Sequence, residues 1–172
     1  MTQTTRNYGR VLYELGVPKE AVAEALNLFR NEKELKKVLE SPVVQVRSKL
    51  HIIDQIFKTD MFPKVFVNFL KKVCENHRMQ DIEEIFESYT IFYNKAHGII
   101  VAQFYYVTMP DDAQIEKMKQ YLCRKYQAKD AQIRLIKDES LIGGFRINVD
   151  NTEYDYSMKG RLDHLKQKLT WR

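Results

Sequence analysis

Along the first hundred residues the apolar positions recur every three or four places, and from Gly98 onward continuous or alternating apolar runs take over. The first spacing is that of amphipathic helices and the second that of strands. Tyr8, Val11, Leu12 and Leu15 form one helical stripe, ended by the Gly16 to Pro18 segment, with Pro18 placed to open the next helix, where its missing amide is not needed. Val22, Leu26 and Phe29, then Leu35, Val38 and Leu39, predict two short helices. Ser41 and Pro42 predict a helix start, the serine as cap and the proline in first position, with Val46, Leu50, Ile53 and Phe57 as the buried stripe. Asp60 is read as a cap or turn. Phe62, Val65, Phe66, Phe69, Leu70 and Val73 predict a fifth helix that stops near Asn76 and His77. Ile82, Ile85, Phe86, Tyr89, Phe92 and Tyr93 predict a long sixth, terminated at Gly98. The expectation is a six-helix bundle over residues 1–97 that contains no strand.

The second region, residues 98–172, reads differently. Ile99 to Val107 is β-branched and aromatic apart from a few positions and predicts a strand, broken at Pro110. Asp111 with Gln114 three places on has the form of a capping box, opening a helix of Ile115, Met118, Leu122 and Tyr126. Ile133 to Ile136 predicts another strand, and Leu141 to Val149 a third, bent at Gly143 and Gly144 because adjacent glycines leave nothing to pack. After a short polar turn, Met158, Leu162, Leu165 and Leu169 recur at spacings of four, three and four with Lys and Arg between them. The order is β-α-β-β-α, and the whole chain is of the α+β class: an N-terminal six-helix bundle followed by a small sheet with helices on it.

Composition narrows the chemistry. With 172 residues, 44% hydrophobic and 12% aromatic, the chain can build packed cores. Its longest nearly apolar run, Ile99 to Val107, falls far short of the roughly 20 residues a membrane helix needs. Met1 to Arg6 lead into no secretory core, so the protein is expected to stay in the compartment where it is made. Cys74 and Cys123 sit far apart in helical patterns as free thiols, and His51, His77, His97 and His164 are scattered, so no metal or catalytic cluster is expected. A net charge of +5 suits an acidic protein, an anionic surface or nucleic acid equally.

Individual motifs add little catalysis. Gly143-Gly144 runs on into more strand and lacks the Gly-Lys-Ser/Thr helix start of a phosphate loop. Asp111-Asp112 and Asp138-Glu139 are read as caps and turn corners, Glu83-Glu84 as a solvated helix face, and no serine stands in a Gly-x-Ser-x-Gly elbow. No catalytic, cofactor-binding or metal-binding residue is assigned. The run Phe104 to Tyr106 raises the alternative of a nucleic-acid-binding module using this aromatic strand, since bases stack on exposed strand aromatics. The corresponding RNP run is missing, and core packing accounts for the same residues. An enzyme with a dispersed site is a third reading.

The arrangement resembles a known family, the delta subunit of F-type ATP synthase, called the oligomycin-sensitivity-conferring protein in mitochondria. The resemblance is carried by Asp138 to Ile147, with its Leu-Ile-Gly-Gly-Phe-Arg-Ile core, by Asp155-Tyr-Ser157, and by Arg161-Leu162 with Leu165. It extends to Tyr8 to Leu15, where Gly9, Val11 and Gly16 replace the usual alanines, to Asn68 to Leu70, to Asn76 with Arg78, and to Val107 to Asp111. Gly9 would weaken its helix slightly. The resemblance implies a non-catalytic stator subunit of a proton-transporting ATP synthase, one copy per complex. Residues 1–97 would seat on the catalytic alpha/beta head by receiving the N-terminal helix of an alpha subunit, and residues 98–172 would hold the C-terminus of the b-subunit stalk. It implies no cofactor, no nucleic acid, and a place on the cytoplasmic face of the cell membrane, held there indirectly through the complex. Carried over residue by residue, Tyr8, Leu12, Leu15, Phe69, Leu70 and Val73 are candidates for the head, and Leu141, Ile142, Phe145, Leu162, Leu165 and Leu169 for the stalk. The same positions also fit ordinary core stripes.

Overall fold

The computed structural model describes residues 1–58, 61–149 and 152–170, and the side chains of 163, 164 and 168–170 are outside the description, as is Asp60. The chain divides into two units, Met1–Tyr93 and Asn94–Arg172, a division one helical turn before the change of period at Gly98.

Among the described residues six helices precede the first strand: α1 (Gln3–Glu14), α2 (Lys19–Asn31), α3 (Lys33–Glu40), α4 (Val46–Ile56), α5 (Lys64–Glu75) and α6 (Ile82–His97), the last entered through a 3-10 turn at Met79–Asp81. The Thr2 side chain accepts the Thr5 amide and so supplies one of the hydrogen bonds a helix start lacks. The Ser41-Pro42 helix start is not observed. Ser41 instead completes the last turn of α3, its amide donating to the Lys37 carbonyl, while its hydroxyl accepts from the Val43 amide. A hydroxyl engaged two residues ahead makes a turn, which delays α4 to Val46.

The core of this unit is aromatic. Phe29, Phe57, Phe62, Phe66 and Phe86 form a connected set of rings with centroids 4.9 to 6.1 Å apart, and Ile53, Leu70, Val73, Ile82 and Ile85 close around them. Rings at these separations in edge-on or tilted contact gain beyond simple burial. Tyr89, fully buried, donates its hydroxyl to the Val17 carbonyl at 2.7 Å, and burial pushes its pKa up to about 12. Gly9 has a packing role that the sequence did not show: a Cβ there would lie 2.5 Å from Ser88 Cβ and 2.7 Å from the Tyr89 amide, so α1 and α6 cross almost backbone to backbone.

The second unit is a four-stranded sheet in the order β2-β1-β3-β4. Strand β1 (Ile99–Tyr106) runs parallel to β2 (Asp130–Lys137), and α7 (Asp112–Tyr126) makes the crossover that a parallel pair requires. The predicted capping box forms, with Asp111 accepting from the Gln114 amide and the Gln114 side chain accepting from the Asp111 amide. Strand β3 (Phe145–Val149) is antiparallel to β1, with Phe104 opposite Ile147, and β4 (Thr152–Asp155) is antiparallel to β3. Alternate side chains Ala102, Phe104, Ala131, Ile147 and Val149 face Leu122 of α7 in a second core.

Two expectations for this unit are corrected. The third strand begins at Phe145 and not at Leu141: Leu141 ends a 3-10 turn (Glu139–Leu141), and Ile142 and Gly144 have φ of +65° and +78°, outside any strand. The segment read as a polar turn contains β4, so the order is β-α-β-β-β-α, ending in α8 (Met158–Thr170).

Candidate protein-binding surfaces

The first surface lies where the apolar stripes of α1 and α5 meet at their edges. At 3.6 residues per turn, Leu12, Tyr8, Leu15 and Val11 follow one another round α1. Along that sequence Leu12 is buried, Tyr8 half-buried, and Leu15 and Val11 exposed. The same gradation runs round α5: Leu70, Phe66, Val73 and Phe69 are buried, and Val65 is exposed. The two edges join through Tyr8 and Phe69, whose rings meet edge-on at 6.2 Å, and through Asn76, which donates its amide to the Tyr8 hydroxyl at 2.7 Å. Val11 and Leu15 of α1 and Val65 of α5 lie outside this join as exposed apolar residues.

Of the six residues expected to face a head partner, the structure thus brings Tyr8 and Phe69 together at the rim and leaves Leu15 at the surface. It places Leu12, Leu70 and Val73, with Phe69 itself, in the buried core, so none of these four is exposed. Val11 and Val65 were in the predicted stripes but not among the candidates. The available signal was their place at the outer margin of a stripe wider than one helix face needs for its core.

The second surface surrounds the root of α8. The Met158 amide donates to the Gly143 carbonyl at 2.9 Å and the Tyr156 amide to the Phe145 carbonyl at 3.0 Å. Asp155 accepts the Ser157 amide at 2.8 Å, and the Ser157 hydroxyl in turn accepts the Gly160 amide at 3.0 Å, capping the helix. A side chain at Gly144 would run into the Tyr156 carbonyl, so the glycine pair is the backbone seat on which α8 starts. Arg146 lies between two Asp-x-Ser turns, its guanidinium 4.7 Å above the Tyr105 ring and 3.4 Å from Asp138. Hydrogen bonds from Ser140 hold the Asp138 carboxyl below the usual range, those from Ser157 do the same for Asp155, and the Arg146 charge adds to both.

Among the stalk candidates, Leu141 is buried, and Phe145 is half-buried in a stack between Phe104 and Tyr156, with centroids 5.2 Å away on each side. Ile142 is 66% exposed, and Leu162 and Leu165, with Met158, are each at least half exposed. Leu169 is on α8 with its side chain outside the described residues. Beside this root, between α7 and the sheet, is a cavity of about 540 Å³ lined by Phe104, Met118, Tyr121, Phe145, Ile147 and Tyr156 among others. The sequence did not reveal it, because lining residues such as Phe104, Phe145 and Ile147 sit at positions that equally suit a closed core.

In the aromatic strand, Phe104 is buried against Phe145, Tyr105 lies under Arg146 and Tyr106 packs against the second core. Among the described residues no group of three or more His, Cys, Asp or Glu side chains converges as metal ligands would, and no helix is long and apolar enough to cross a membrane. Burial raises the Cys74 thiol above its usual range, which keeps it protonated and a poor nucleophile.

Residues 4–169 match the family described as ATP synthase delta (OSCP) subunit. Similar curated proteins include the ATP synthase subunit delta of Ruminiclostridium cellulolyticum, 28% identical over 97% of this chain and 98% of that one. The ATP synthase subunit delta of Acetivibrio thermocellus is 30% identical over 88% and 84%. Among solved structures, a chain of the Toxoplasma gondii mitochondrial ATP synthase hexamer superposes with a TM-score of 0.77, covering 99% of this chain and 98% of that one at 20% identity, a likeness of fold.

Proposed function

Because this chain belongs to the ATP synthase delta (OSCP) subunit family, we propose that it ties the catalytic alpha/beta head to the b-subunit stalk and bears the torque between them. It is an ATP synthase delta subunit, a component of the peripheral stalk serving ATP synthesis. In the proposed mechanism the six helices of residues 1–97 act as one bundle seated on the head, and residues 98–172 grip the end of the stalk. A rotating central shaft would otherwise carry the catalytic ring round with it. The chain makes and breaks no covalent bond, and catalysis lies in other subunits. One copy serves each complex, at the cytoplasmic face of the cell membrane.

The observation that supports this reading best is the Tyr8–Phe69 join between α1 and α5, with Val11, Leu15 and Val65 exposed on the same two helices. Two adjacent helices that leave an apolar rim suit helix-in-groove recognition, in which an amphipathic helix lays its apolar face along them. The partner here is the N-terminal helix of an alpha subunit. The test is co-sedimentation of Val11→Glu and Leu15→Glu variants with purified catalytic heads. Both side chains already meet water, so folding should be unaffected while head binding falls at least tenfold. Unchanged co-sedimentation would remove the α1/α5 edge as the head site.

A further inference from the structure

Ile142 is the residue of this chain whose conformation and exposure are hardest to account for by folding alone. It is β-branched, its φ of +65° and ψ of −31° are those of a region side chains of its kind avoid, and it is 66% exposed. A strained backbone persists only where the surroundings impose it, and they do: Ile142 stands between the 3-10 turn that buries Leu141 and the Gly143 carbonyl that anchors α8. The outcome is an aliphatic side chain held out into solvent at the root of a helix whose Met158, Leu162 and Leu165 are also exposed.

We propose that Ile142 is the anchor of the stalk-binding surface, a fixed knob that enters a hole on an amphipathic helix whose apolar stripe is flanked by carboxylates. The inference rests on the reading that residues 98–172 hold the stalk. The partner's charge follows from the sequence of α8, in which Lys159, Arg161, Lys166 and Lys168 outnumber the single acidic residue Asp163. The helical form of the partner follows from the knob: a single projecting side chain at a fixed position suits a hole made by four residues of a facing helix. An anionic membrane would also attract a basic apolar face, but a fluid surface rewards buried area and gains nothing from one side chain set at a strained angle.

The two properties of Ile142 act in opposite directions, and this makes the test sharp. Replacement by glycine relieves the backbone and removes the knob, so Ile142→Gly should fold with an unchanged or higher Tm and yet bind about tenfold more weakly. Ile142→Asn, which tolerates the backbone while keeping a polar side chain, should behave alike. Full-length protein is titrated with the purified soluble region of the complex's b subunit and, separately, with vesicles containing anionic lipid. Arg161→Glu with Lys166→Glu should weaken b binding and flatten its dependence on salt. Should wild type bind the b region and both Ile142 variants bind it equally well, the anchor is refuted while the stalk reading stands. Should wild type ignore the b region and bind only vesicles, both the anchor and the stalk reading fall.

Discussion

In the helical unit, twenty hydrophobic residues among those described are buried in one cluster, and in the sheet unit the main cluster holds six. The helical unit closes its core with interlocking phenylalanines, and its exposed apolar side chains, such as Val11, Val43, Val65 and Ile91, are scattered over helices and turns. The sheet unit keeps a cavity of about 540 Å³ beside Phe145 and sends out a final helix with Met158, Leu162 and Leu165 uncovered. One unit is therefore closed round an aromatic core. The other leaves apolar surface that a second polypeptide would finish, the kind of exposure that marks an interaction site on a folded chain.

If that contrast is right, truncating an aromatic ring should cost far more in the first unit. Phe86→Ala, which empties a fully enclosed site touching Phe29 and Phe66, is expected to lower stability by about 3–5 kcal/mol. Phe145→Ala only enlarges an existing cavity from a half-buried position and should cost less than half as much. Urea unfolding monitored in each unit compares the two, and equal losses would erase the distinction.

The next effect is confined to the helical unit. Tyr89 has its folded pKa raised to about 12 from an ordinary value of about 10. A raised pKa favours the protonated hydroxyl in the folded state, so this stabilisation is complete below pH 10 and is lost as pH climbs from 10 towards 12. The loss should be of the order of 2–3 kcal/mol in that window. Tyr89→Phe should flatten the alkaline limb of a stability profile while giving up the bond to Val17. An alkaline limb of the same slope in the variant would show that Tyr89 is not its source.

Smallest, and directed at packing, is Gly9→Ala. Helix propensity alone predicts a gain, since alanine favours a helix by up to about 1 kcal/mol over glycine. The crossing with Ser88 and Tyr89 predicts the opposite, a net loss of about 1–3 kcal/mol from overpacking. The sign of the change in Tm decides which description of α1 holds.

Much of this architecture was legible in the residues. Stripes such as Phe66, Phe69, Leu70 and Val73 have a period that only a helix satisfies, and Asp111 with Gln114 set the start of α7 to the residue. What failed to show had physical causes. Strand β4 has the sequence Thr-Glu-Tyr-Asp, whose backbone pairs with β3 while only Tyr154 turns towards the core, so no hydrophobic period announces it. The left-handed backbone at Ile142 runs against the preference of an isoleucine and is imposed by the neighbouring turn and by α8. Gly9 read as a weak helix former because its neighbour, α6, lies some eighty positions away in sequence. The candidate surfaces were half legible: the stripes marked the right helices, but the same period describes Leu12, which is enclosed, and Leu15, which is wet. Only the three-dimensional neighbours separate them.

The sheet order leaves β4 at one margin, and that margin is four residues long with Glu153 and Asp155 on it. An open sheet rim can recruit the rim of another molecule, and a short, negatively charged one resists this. A newly synthesised copy with its final helix still uncovered would therefore have one route to self-aggregation already blunted while it waits to be built into a larger machine.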